Sequence, residues 1–409
     1  MNYTTVIHTD LITPLGAYIR LRGSGEAAFL LESVEWGRLG RYSFVGSGTR
    51  LVDLEAAESA DAPVVGFLAY DHAATLEPTV PLPGEGPDLP QSRFVVADTL
   101  VRFDHAAGLA QVLCGDPEEL RARLDQAHVE LPRGGGRRGP TRRQPGRFQY
   151  ERAVLRAKEH IRAGDAFQIV ISQRAERPTS ANALELYRTL RRVNPSPYLF
   201  LLELGELALI GSSPETLVKL EDRRASLNPI AGTTRPGPGD AERLLASEKD
   251  RAEHVMLVDL GRNDLSRVCR PGSVQVERFM QPERFSHVTH LVSEVVGELR
   301  DDVGAFDLLR ACFPAGTVSG APKVRAMQLI SALEGYARGP YGGAVGYALP
   351  DGDLDTCIAI RTIVLHGGVA HLQAGAGIVA DSDPHAEHEE CLRKLAALET
   401  AITLAESGR

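Results

Sequence analysis

The 409-residue sequence predicts an α+β fold with antiparallel sheets. Short apolar runs rich in valine, isoleucine, leucine and phenylalanine recur between turn residues, as β-strands require. Helical patterns are present, but they do not alternate regularly with the strands, as they would in a doubly wound parallel fold. The composition, 43% hydrophobic and 24% charged, is typical of a globular protein with a sizeable core.

The first 130 residues are predicted to form a strand-rich N-terminal region. Its strand-like runs lie at residues 27–33, 41–47, 62–71, 92–105 and 109–114. A helix is expected over 116–127, because Asp116 can cap it and Pro117 suits its first position.

A segment rich in arginine, glycine and proline, residues 131–147, follows this region. It contains six arginines, three prolines, five glycines and no acidic residue, which is typical of a solvated linker. An RNA-binding arm is the alternative, although no aromatic residues are interleaved with the arginines. We therefore place a boundary here, between a region at 1–130 and a second one at 148–409.

The second region mixes helices and strands. Helices are predicted over 148–164, about 240–260 and about 384–405. Strands are predicted at residues 166–173, 198–205, 207–214, 343–350, 354–368 and 369–380.

Charge, cysteines and hydropathy argue against several functional classes. The net charge of −9 disfavours non-specific binding to nucleic acid or anionic membranes. The five scattered cysteines form no CxxC pair, so neither a zinc site nor a disulfide framework is indicated, and reduced thiols in a cytoplasmic protein are expected. No apolar run is long enough to span a membrane, and the N-terminus lacks the pattern of a secretion signal.

Two of the predicted helices carry paired carboxylates. In the last helix, Glu387, Glu390 and Lys394 lie on one side at about 100° per residue. In the helix near 240–260, Asp250 and Glu253 are three residues apart and share a face. Solvated helix faces and helix N-termini show the same patterns without any site. Together, the two helices could hold Mg²⁺, which needs few protein oxygens.

The remaining candidate features are weaker. Glycine-rich runs at 314–323, 339–347 and 373–384 match neither a phosphate loop nor a dinucleotide fingerprint in their spacing. Their glycines can still let backbone N–H groups approach an anionic ligand. His290 is a single histidine whose default role is structural, and Glu215 is a turn carboxylate of a kind that is usually only solvated.

Seven segments of the sequence together carry a resemblance to a known family. They are PIAGTTRPG, AEHVMLVDLGRNDLSRV, HVTHLVSEVVGEL, PAGTVSGAPKVRAM, YGGAVGY, DTCIAIRT and QAGAGIVADSDPHAEHEE. These segments resemble the chorismate-utilising enzymes, and most closely their anthranilate synthase component I group. The resemblance covers nearly all of 148–409 in unbroken order and extends more thinly into the N-terminal region. The resemblance implies a sandwich of large antiparallel sheets with helices outside, and a chorismate-binding catalytic domain at 148–409.

The resemblance also implies a Mg²⁺-dependent reaction on chorismate. Glu253 and Glu390 would hold the ion, Glu387 would support it through water, and Asp250 stands where a glutamate is expected. Further residues are implied as substrate ligands or catalytic groups. Tyr341, Arg361, Gly375, Gly377 and Lys394 would bind the substrate carboxylates, Glu215 would be the general acid, His290 would move a proton during pyruvate loss, and Thr317 would contact the substrate.

Two positions bear on which nucleophile the family member admits. Water-adding members carry a lysine base where this chain has Gln168, and an uncharged amide does not activate water. Aminodeoxychorismate synthases carry a lysine, tied to para substitution, where this chain has Ala231. Ala231 lies in the loop with Gly232 and Thr233, in which Thr234 departs from the usual pattern. The expected reaction is therefore ammonia addition ortho to the ring carboxylate, followed by loss of pyruvate to give anthranilate for tryptophan synthesis.

The resemblance implies partners and regulation as well. Ammonia would come from glutamine through a separate amidotransferase subunit, in an expected heterotetramer. Ser33, Pro197, Tyr198 and Cys357 would line a pocket for tryptophan as feedback inhibitor. Alternatives remain at this point: an aminodeoxychorismate synthase of the folate pathway, an aminodeoxyisochorismate synthase that stops before pyruvate loss, and a catalytically inactive binding protein.

Overall fold

A computed structural model describes residues 6–23, 26–33, 41–126, 139–234, 236–284 and 289–408. The strands of these residues are, in chain order, β1 (Val6–His8), β2 (Ala27–Glu32), β3 (Tyr42–Gly48), β4 (Arg50–Val52), β5 (Val64–Leu68), β6 (Ser92–Val96), β7 (Thr99–Asp104), β8 (Leu109–Cys114), β9 (Arg142–Gln144), β10 (Gln168–Pro178), β11 (Tyr198–Leu204), β12 (Leu207–Ser213), β13 (Thr216–Glu221), β14 (Arg224–Leu227), β15 (Ile230–Thr234), β16 (Gln275–Arg284), β17 (Thr289–Glu298), β18 (Gly320–Ala321), β19 (Ala344–Ala348), β20 (Leu354–Ile358), β21 (Thr362–His366) and β22 (Val369–Ile378).

The α-helices of the same residues vary from one turn to more than six turns. They are α1 (Pro14–Leu21), α2 (Leu54–Glu58), α3 (Ala73–Leu76), α4 (Pro117–Leu124), α5 (Arg147–Arg162), α6 (Ala183–Val193), α7 (Asp240–Ala246), α8 (Glu248–Ser266), α9 (Ala305–Cys312), α10 (Lys323–Glu334) and α11 (Pro384–Glu406). None of the helices in the described part of the chain has the length and apolar character needed to cross a membrane.

The strands form two sheets in which every pairing is antiparallel, as the sequence predicts. The larger sheet has the order β1-β8-β7-β3-β2-β11-β12-β21-β22-β10-β18, with β9 beside β10. The smaller sheet has the order β15-β17-β14-β13-β20-β19-β5-β6-β4, with β16 beside β17.

The two sheets pack face to face, and helices cover their outer faces. Side chains alternate along β2, so that Phe29 enters the core between the sheets with Phe67 and Phe200, while Leu30 faces the helices. Helices α1, α4, α6 and α11 cover the larger sheet, and α2, α8 and α9 cover the smaller one. The predicted sandwich with helices outside is confirmed.

Both sheets draw strands from both sides of the predicted boundary. Strand β2 pairs with β11, and β5 pairs with β19, so residues 1–130 do not build a sheet of their own. Residues 131–138 of the predicted linker lie outside the described residues. Residues 142–144 were also predicted to be linker, which is wrong, because they form β9 and pair with β10. The division of the chain at this segment stays a prediction about sequence regions.

One predicted helix and two predicted strands are each divided into two elements in the structure. The helix expected over 240–260 breaks at Ser247, whose hydroxyl accepts a hydrogen bond from the Asp250 N–H at 3.2 Å and caps α8. The strand expected over 92–105 divides into β6 and β7, in different sheets. The strand expected over 354–368 divides likewise at Arg361, whose φ of 49° turns the chain from the smaller sheet into the larger one.

Candidate active site

A cavity of about 580 Å³ lies where strands of both sheets meet α8 and α11. Nearly all residues singled out in the sequence line it. They are Gln168, Glu215, Ala231, Gly232, Asp250, Glu253, His290, Thr317, Tyr341, Arg361, Gly375, Gly377, Glu387, Glu390 and Lys394. Thr233 lies in β15 opposite His290, and its side chain is outside what the structure describes. The structure therefore brings together residues that are up to 226 positions apart in sequence.

Both acidic helices line this cavity with the carboxylates that their periodicity places on a shared face. Burial, and then the nearby carboxylates of Asp250 and Glu390, raise the pKa of Glu253. The pKa of Glu387 is raised in the same way by burial and by Glu390. Like charges held this close are costly without a cation between them, so the chemistry of this group fits a divalent metal ion.

No three His, Cys, Asp or Glu side chains of the described residues already converge into a metal cage. Mg²⁺ usually keeps several waters and takes only one or two protein carboxylates. Part of the charge is balanced by the protein itself. The Lys394 ammonium pairs with Glu390 at 2.8 Å and donates to the Gly375 carbonyl oxygen at 2.8 Å.

Glu215 has the properties of a general acid. It follows β12 and a proline, so that the carboxyl projects from the strand end into the cavity. Burial raises the pKa of Glu215 to about 7, against the opposing effects of the Thr317 hydroxyl and of the Lys394 and Arg361 charges. A carboxyl group with such a pKa is still partly protonated at neutral pH and can donate a proton.

His290 has the properties of a base. Its Nδ1 lies 2.8 Å from the Gly232 carbonyl oxygen, which only accepts hydrogen bonds, so the neutral ring carries its proton on Nδ1 and its basic lone pair on Nε2. Burial lowers the pKa of His290, and the Arg361 charge adds to this, while the bond to Gly232 opposes it. The neutral form is therefore favoured at physiological pH.

A β-bulge positions the Gly232 carbonyl. The pairing of β15 with β17 shifts register between Ala231 and Thr233, and Gly232 has φ of 66°. A Cβ at Gly232 would also meet side-chain atoms of Asp250 and Leu244 at 3.2 Å. Glycine is required there for both reasons. The same bulge accommodates Thr234, which pairs with Thr289.

Arg361, Tyr341 and two glycines form the other wall. Arg361 is held at the bend between β20 and β21 in a left-handed conformation that is unusual for a non-glycine residue. A Cβ at Gly375 would lie 2.8 Å from the Tyr341 hydroxyl, and one at Gly377 would lie 2.5 Å from Gln168 Nε2. Only glycine permits this close approach, which leaves strand backbone facing the cavity.

The residues at the two positions predicted to select the nucleophile are neutral. Gln168 is 4% exposed, and its Nε2 donates to Glu253 Oε1 at 3.1 Å. Ala231 is 8% exposed and presents only a methyl group to the cavity. Neither residue can take a proton from water.

The sequence reasoning missed several lining residues, of which Lys249 matters most. Its charge lowers the pKa of both Glu253 and Glu387, against the larger effect of burial. Lys249 precedes Glu253 by four residues, so the helical spacing that identified Asp250 could also have found it. Gln373, which lines the cavity from the long β22, was also missed, although it is the first residue of the segment QAGAGIVADSDPHAEHEE.

A second cavity of about 440 Å³ contains all four residues assigned to tryptophan: Ser33, Pro197, Tyr198 and Cys357. Within the described residues the buried Ser33 hydroxyl has no hydrogen-bond partner. Pro197 also lines the first cavity. The segment that carries Pro197 therefore separates the two cavities.

The walls of the second cavity combine aromatic rings with charged side chains of both signs. Phe44 and Tyr347 lie with ring centroids 4.4 Å apart. Tyr198 donates to Asp355 at 3.1 Å, and burial raises the pKa of Asp355 to about 6. Such walls suit a small aromatic ligand that carries an ammonium group.

Comparisons with known proteins agree with this geometry. The family model of the chorismate binding enzymes matches residues 40–400. Anthranilate synthase component 1 of Streptomyces coelicolor is 45% identical over alignments covering 98% of this chain and 88% of that protein, and the Thermus thermophilus protein of the same name is 42% identical, covering 99% and 98%.

Solved structures give the same result. Anthranilate synthase component I from Streptococcus pneumoniae is 34% identical with a TM-score of 0.79, covering 97% of this chain and all of that one. The menaquinone-specific isochorismate synthase from Escherichia coli, at 23% identity and a TM-score of 0.77, shares the fold and covers 97% of this chain and 94% of its own.

Proposed function

The chain belongs to the anthranilate synthase component 1 group of the chorismate binding enzymes, and we propose that it converts chorismate and ammonia to anthranilate and pyruvate, the first step of tryptophan synthesis. The observation that carries the proposal is one cavity in which a protonatable carboxyl, a neutral histidine and two acidic helices face neutral residues at the nucleophile-selecting positions.

Substrate binding follows from the charges of the cavity walls. Chorismate carries two carboxylates, and two of the cations that line the cavity, Arg361 at the strand bend and Lys394 on α11, would bind them. The Tyr341 hydroxyl and the backbone at Gly375 and Gly377 would complete the contacts to the enolpyruvyl carboxylate. Burial lowers the pKa of Arg361 and Glu215 opposes this, so the guanidinium stays charged at any physiological pH.

Mg²⁺ is part of the proposal. Glu253 and Glu390 would hold the ion, and Glu387 would support it through water. When bound, Mg²⁺ supplies a positive charge for the ring carboxylate and draws electron density from the ring. The support for this assignment is that Glu253, Glu387 and Glu390 line one cavity, where burial first and then neighbouring carboxylates raise the pKa of Glu253 and Glu387, so that a cation there would be favourable.

The first chemical step replaces the ring hydroxyl by ammonia. Ammonia attacks with its own lone pair and needs no base, so the neutral Gln168 and Ala231 are sufficient at that position. Glu215 would give its proton to the departing hydroxyl, with the Thr317 hydroxyl beside it. Water would need a base to attack, and the residues at these two positions supply none.

The second step eliminates pyruvate and makes the ring aromatic. His290 would take a ring proton on Nε2, because its Nδ1–H is committed to the Gly232 carbonyl. The carbon–oxygen bond to the enolpyruvyl group then breaks, and its electrons leave with the pyruvate enolate.

The proposal also includes a partner subunit, an inhibitor and a cellular location. The relatives are named as a first component, which implies a second one, and we assign to it the release of ammonia from glutamine, in a heterotetramer. Tryptophan would bind in the second cavity and inhibit the reaction. All five cysteines are free thiols, which suits the expected cytoplasmic location.

The test is product analysis with the purified chain, chorismate, ammonium salt and Mg²⁺ at mildly alkaline pH. Fluorescent anthranilate and pyruvate in equal amounts, both lost on chelation of Mg²⁺, are the expected result. The amino intermediate without pyruvate would identify an aminodeoxyisochorismate synthase, and a para-amino product would identify an aminodeoxychorismate synthase. No consumption of chorismate would leave only a binding function.

A further inference from the structure

Arg338 is a buried arginine behind the active site and does not line the cavity. It is only 3% exposed. Its Nε and Nη2 donate to the two oxygens of Glu334 at 2.9 and 2.7 Å, which compensates its charge. A buried ion pair of this kind contributes little net stability, so its presence behind the site calls for another explanation.

The guanidinium also holds the backbone of two segments that reach the active site. Its Nη1 donates to the Val318 carbonyl oxygen at 2.6 Å, and its Nη2 donates to the Val170 carbonyl oxygen at 2.9 Å. Val318 directly follows Thr317. Val170 lies two residues after Gln168 in β10, so the two side chains share one face of the strand.

A third contact is to the tyrosine of the substrate wall. The guanidinium carbon lies 5.6 Å from the ring centroid of Tyr341 and 4.4 Å from that of Tyr70. Such contacts between a cation and an aromatic ring favour one ring orientation. On the other side, the Arg338 backbone N–H donates to Asp71 Oδ1 at 3.0 Å, which fixes the start of the loop that leads to Tyr341.

Glu334 extends the network to a fourth point on the cavity wall. Its Oε1 accepts hydrogen bonds from the Ser172 N–H at 2.7 Å and the Ser172 hydroxyl at 2.8 Å. Gln373 Nε2 donates to the same hydroxyl at 2.7 Å, and Gln373 lines the cavity.

We propose that Arg338 is a positioning residue, which fixes Gln168, Thr317 and Tyr341 relative to one another through one buried guanidinium. The inference rests on the proposed function and adds a residue to which no role in that reaction has been assigned. Lysine could not replace it, because a single ammonium lacks the planar arrangement of donors that reaches two carbonyls and a carboxylate at once.

The test compares Arg338→Lys and Arg338→Ala with the wild type in ammonia-dependent turnover. Misplacement of groups that contact the reacting substrate by about 1 Å costs on the order of a hundredfold in rate. We therefore expect kcat/KM for chorismate to fall by roughly 10- to 100-fold in both folded variants, with KM raised and kcat lowered. Guanidinium chloride at low, non-denaturing concentration should restore part of the loss in Arg338→Ala only, and urea at the same concentration should not.

A matched control is Arg174→Lys. Arg174 also stacks on a tyrosine, Tyr336, but its guanidinium bonds Gln144 in β9 and reaches none of the three site residues. Its kcat/KM should stay within about twofold of the wild type, as is usual for a side chain that holds no reacting group.

Two results would overturn the proposal: an Arg338→Lys enzyme with wild-type kcat/KM, or a folded Arg338→Ala enzyme that guanidinium does not rescue. If Arg338→Ala does not fold, Arg338→Lys alone tests the positioning role, since it keeps the charge and most of the volume of the side chain. Measuring the dissociation constant of chorismate at equilibrium tests the positioning role independently of the proposed reaction. If the wild type binds chorismate without forming anthranilate, the proposed function fails, and a dissociation constant weakened about tenfold in Arg338→Lys still supports the positioning role.

Discussion

The two cavities are neighbours that share Pro197, but their walls differ in kind. The first has opposed charges, a carboxyl whose pKa is raised to about 7 and an arginine held with positive φ. The second has aromatic rings beside acidic groups and two cations, Arg41 and Lys219, without strained backbone among its described residues. Burial raises the pKa of a carboxyl in both cavities, Glu215 in the first and Asp355 in the second, so the raised pKa does not distinguish them. Among the described residues only the first cavity has a strained backbone, at Arg361, and such strain is typical of sites where bonds change.

The two cavities also differ in the parts of the chain that line them. The catalytic cavity takes its charged groups from α8, α11 and the bend at Arg361, all after residue 148. Part of the wall of the second cavity comes from Ser33, which directly follows β2, and Phe44 in β3, both before residue 130. The N-terminal region thus lines the second cavity without supplying any of the proposed reacting groups.

Glu215→Gln should produce the largest effect, because the amide keeps the shape of the side chain but has no acidic proton. We expect kcat to fall by roughly 10²- to 10⁴-fold, the usual contribution of a general acid. Tryptophan binding to the second cavity, measured by calorimetry, should not change. Turnover within tenfold of the wild type would exclude Glu215 as the acid.

Ala231→Lys should reduce anthranilate formation by about two orders of magnitude. A long cationic side chain would displace the substrate or a reacting group, and a displacement of about 1 Å is enough for a rate loss of about a hundredfold. Product analysis by chromatography would show the loss and any para-amino product. Ala231→Gly serves as the control, since it adds no atoms, and should keep most of the activity. Undiminished anthranilate formation by the lysine variant would contradict the role assigned to this position.

The pH profile should show an alkaline limb near pH 7. The pKa of Glu215 is raised to about 7, so the carboxyl is protonated below this pH and loses its proton as the pH rises through it. We expect kcat/KM to fall about tenfold for each pH unit above the pKa of Glu215. The measurement must hold the concentration of unprotonated ammonia constant. A limb near the ordinary pKa of a glutamate would show that Glu215 does not act as the acid.

Ser33→Leu should affect only the second cavity. The leucine side chain would replace the buried Ser33 hydroxyl, which has no partner within the described residues, and would extend into the cavity. We expect tryptophan binding to weaken by about tenfold or more. Turnover without tryptophan should stay within about twofold of the wild type. Inhibition that persists unchanged would place the regulatory site elsewhere.

Arg143→Ala should have the smallest effect and serves as a reference outside both cavities. Its guanidinium pairs with Glu399 at 2.5 Å on the surface of β9 and α11. Exposed ion pairs contribute roughly 0–1 kcal/mol, so the free energy of unfolding should drop by no more than that, measured by urea denaturation. A larger loss would show that β9 is important for stability.

Local periodicity predicted much of the site. Glu387, Glu390 and Lys394 were placed correctly on one side of α11, because helix geometry fixes which residues share a face. The bend at Arg361 was not predicted, since DTCIAIRT reads as a continuous strand and arginine seldom takes a positive φ. The break before α8 was missed because Ser247 caps a helix within an otherwise unbroken helical pattern. Arg338 could not have been found, as its role depends on contacts between segments far apart in sequence.

The central claim is that neutral residues at the nucleophile-selecting positions admit ammonia and exclude water. The most direct test is to incubate the wild-type chain with chorismate and Mg²⁺ in ¹⁸O-labelled water, first without ammonium and then with it. No chorismate should be consumed before ammonium is added, and anthranilate and pyruvate should then form in equal amounts. An ¹⁸O-labelled hydroxylated isomer of chorismate in the first phase would contradict the claim.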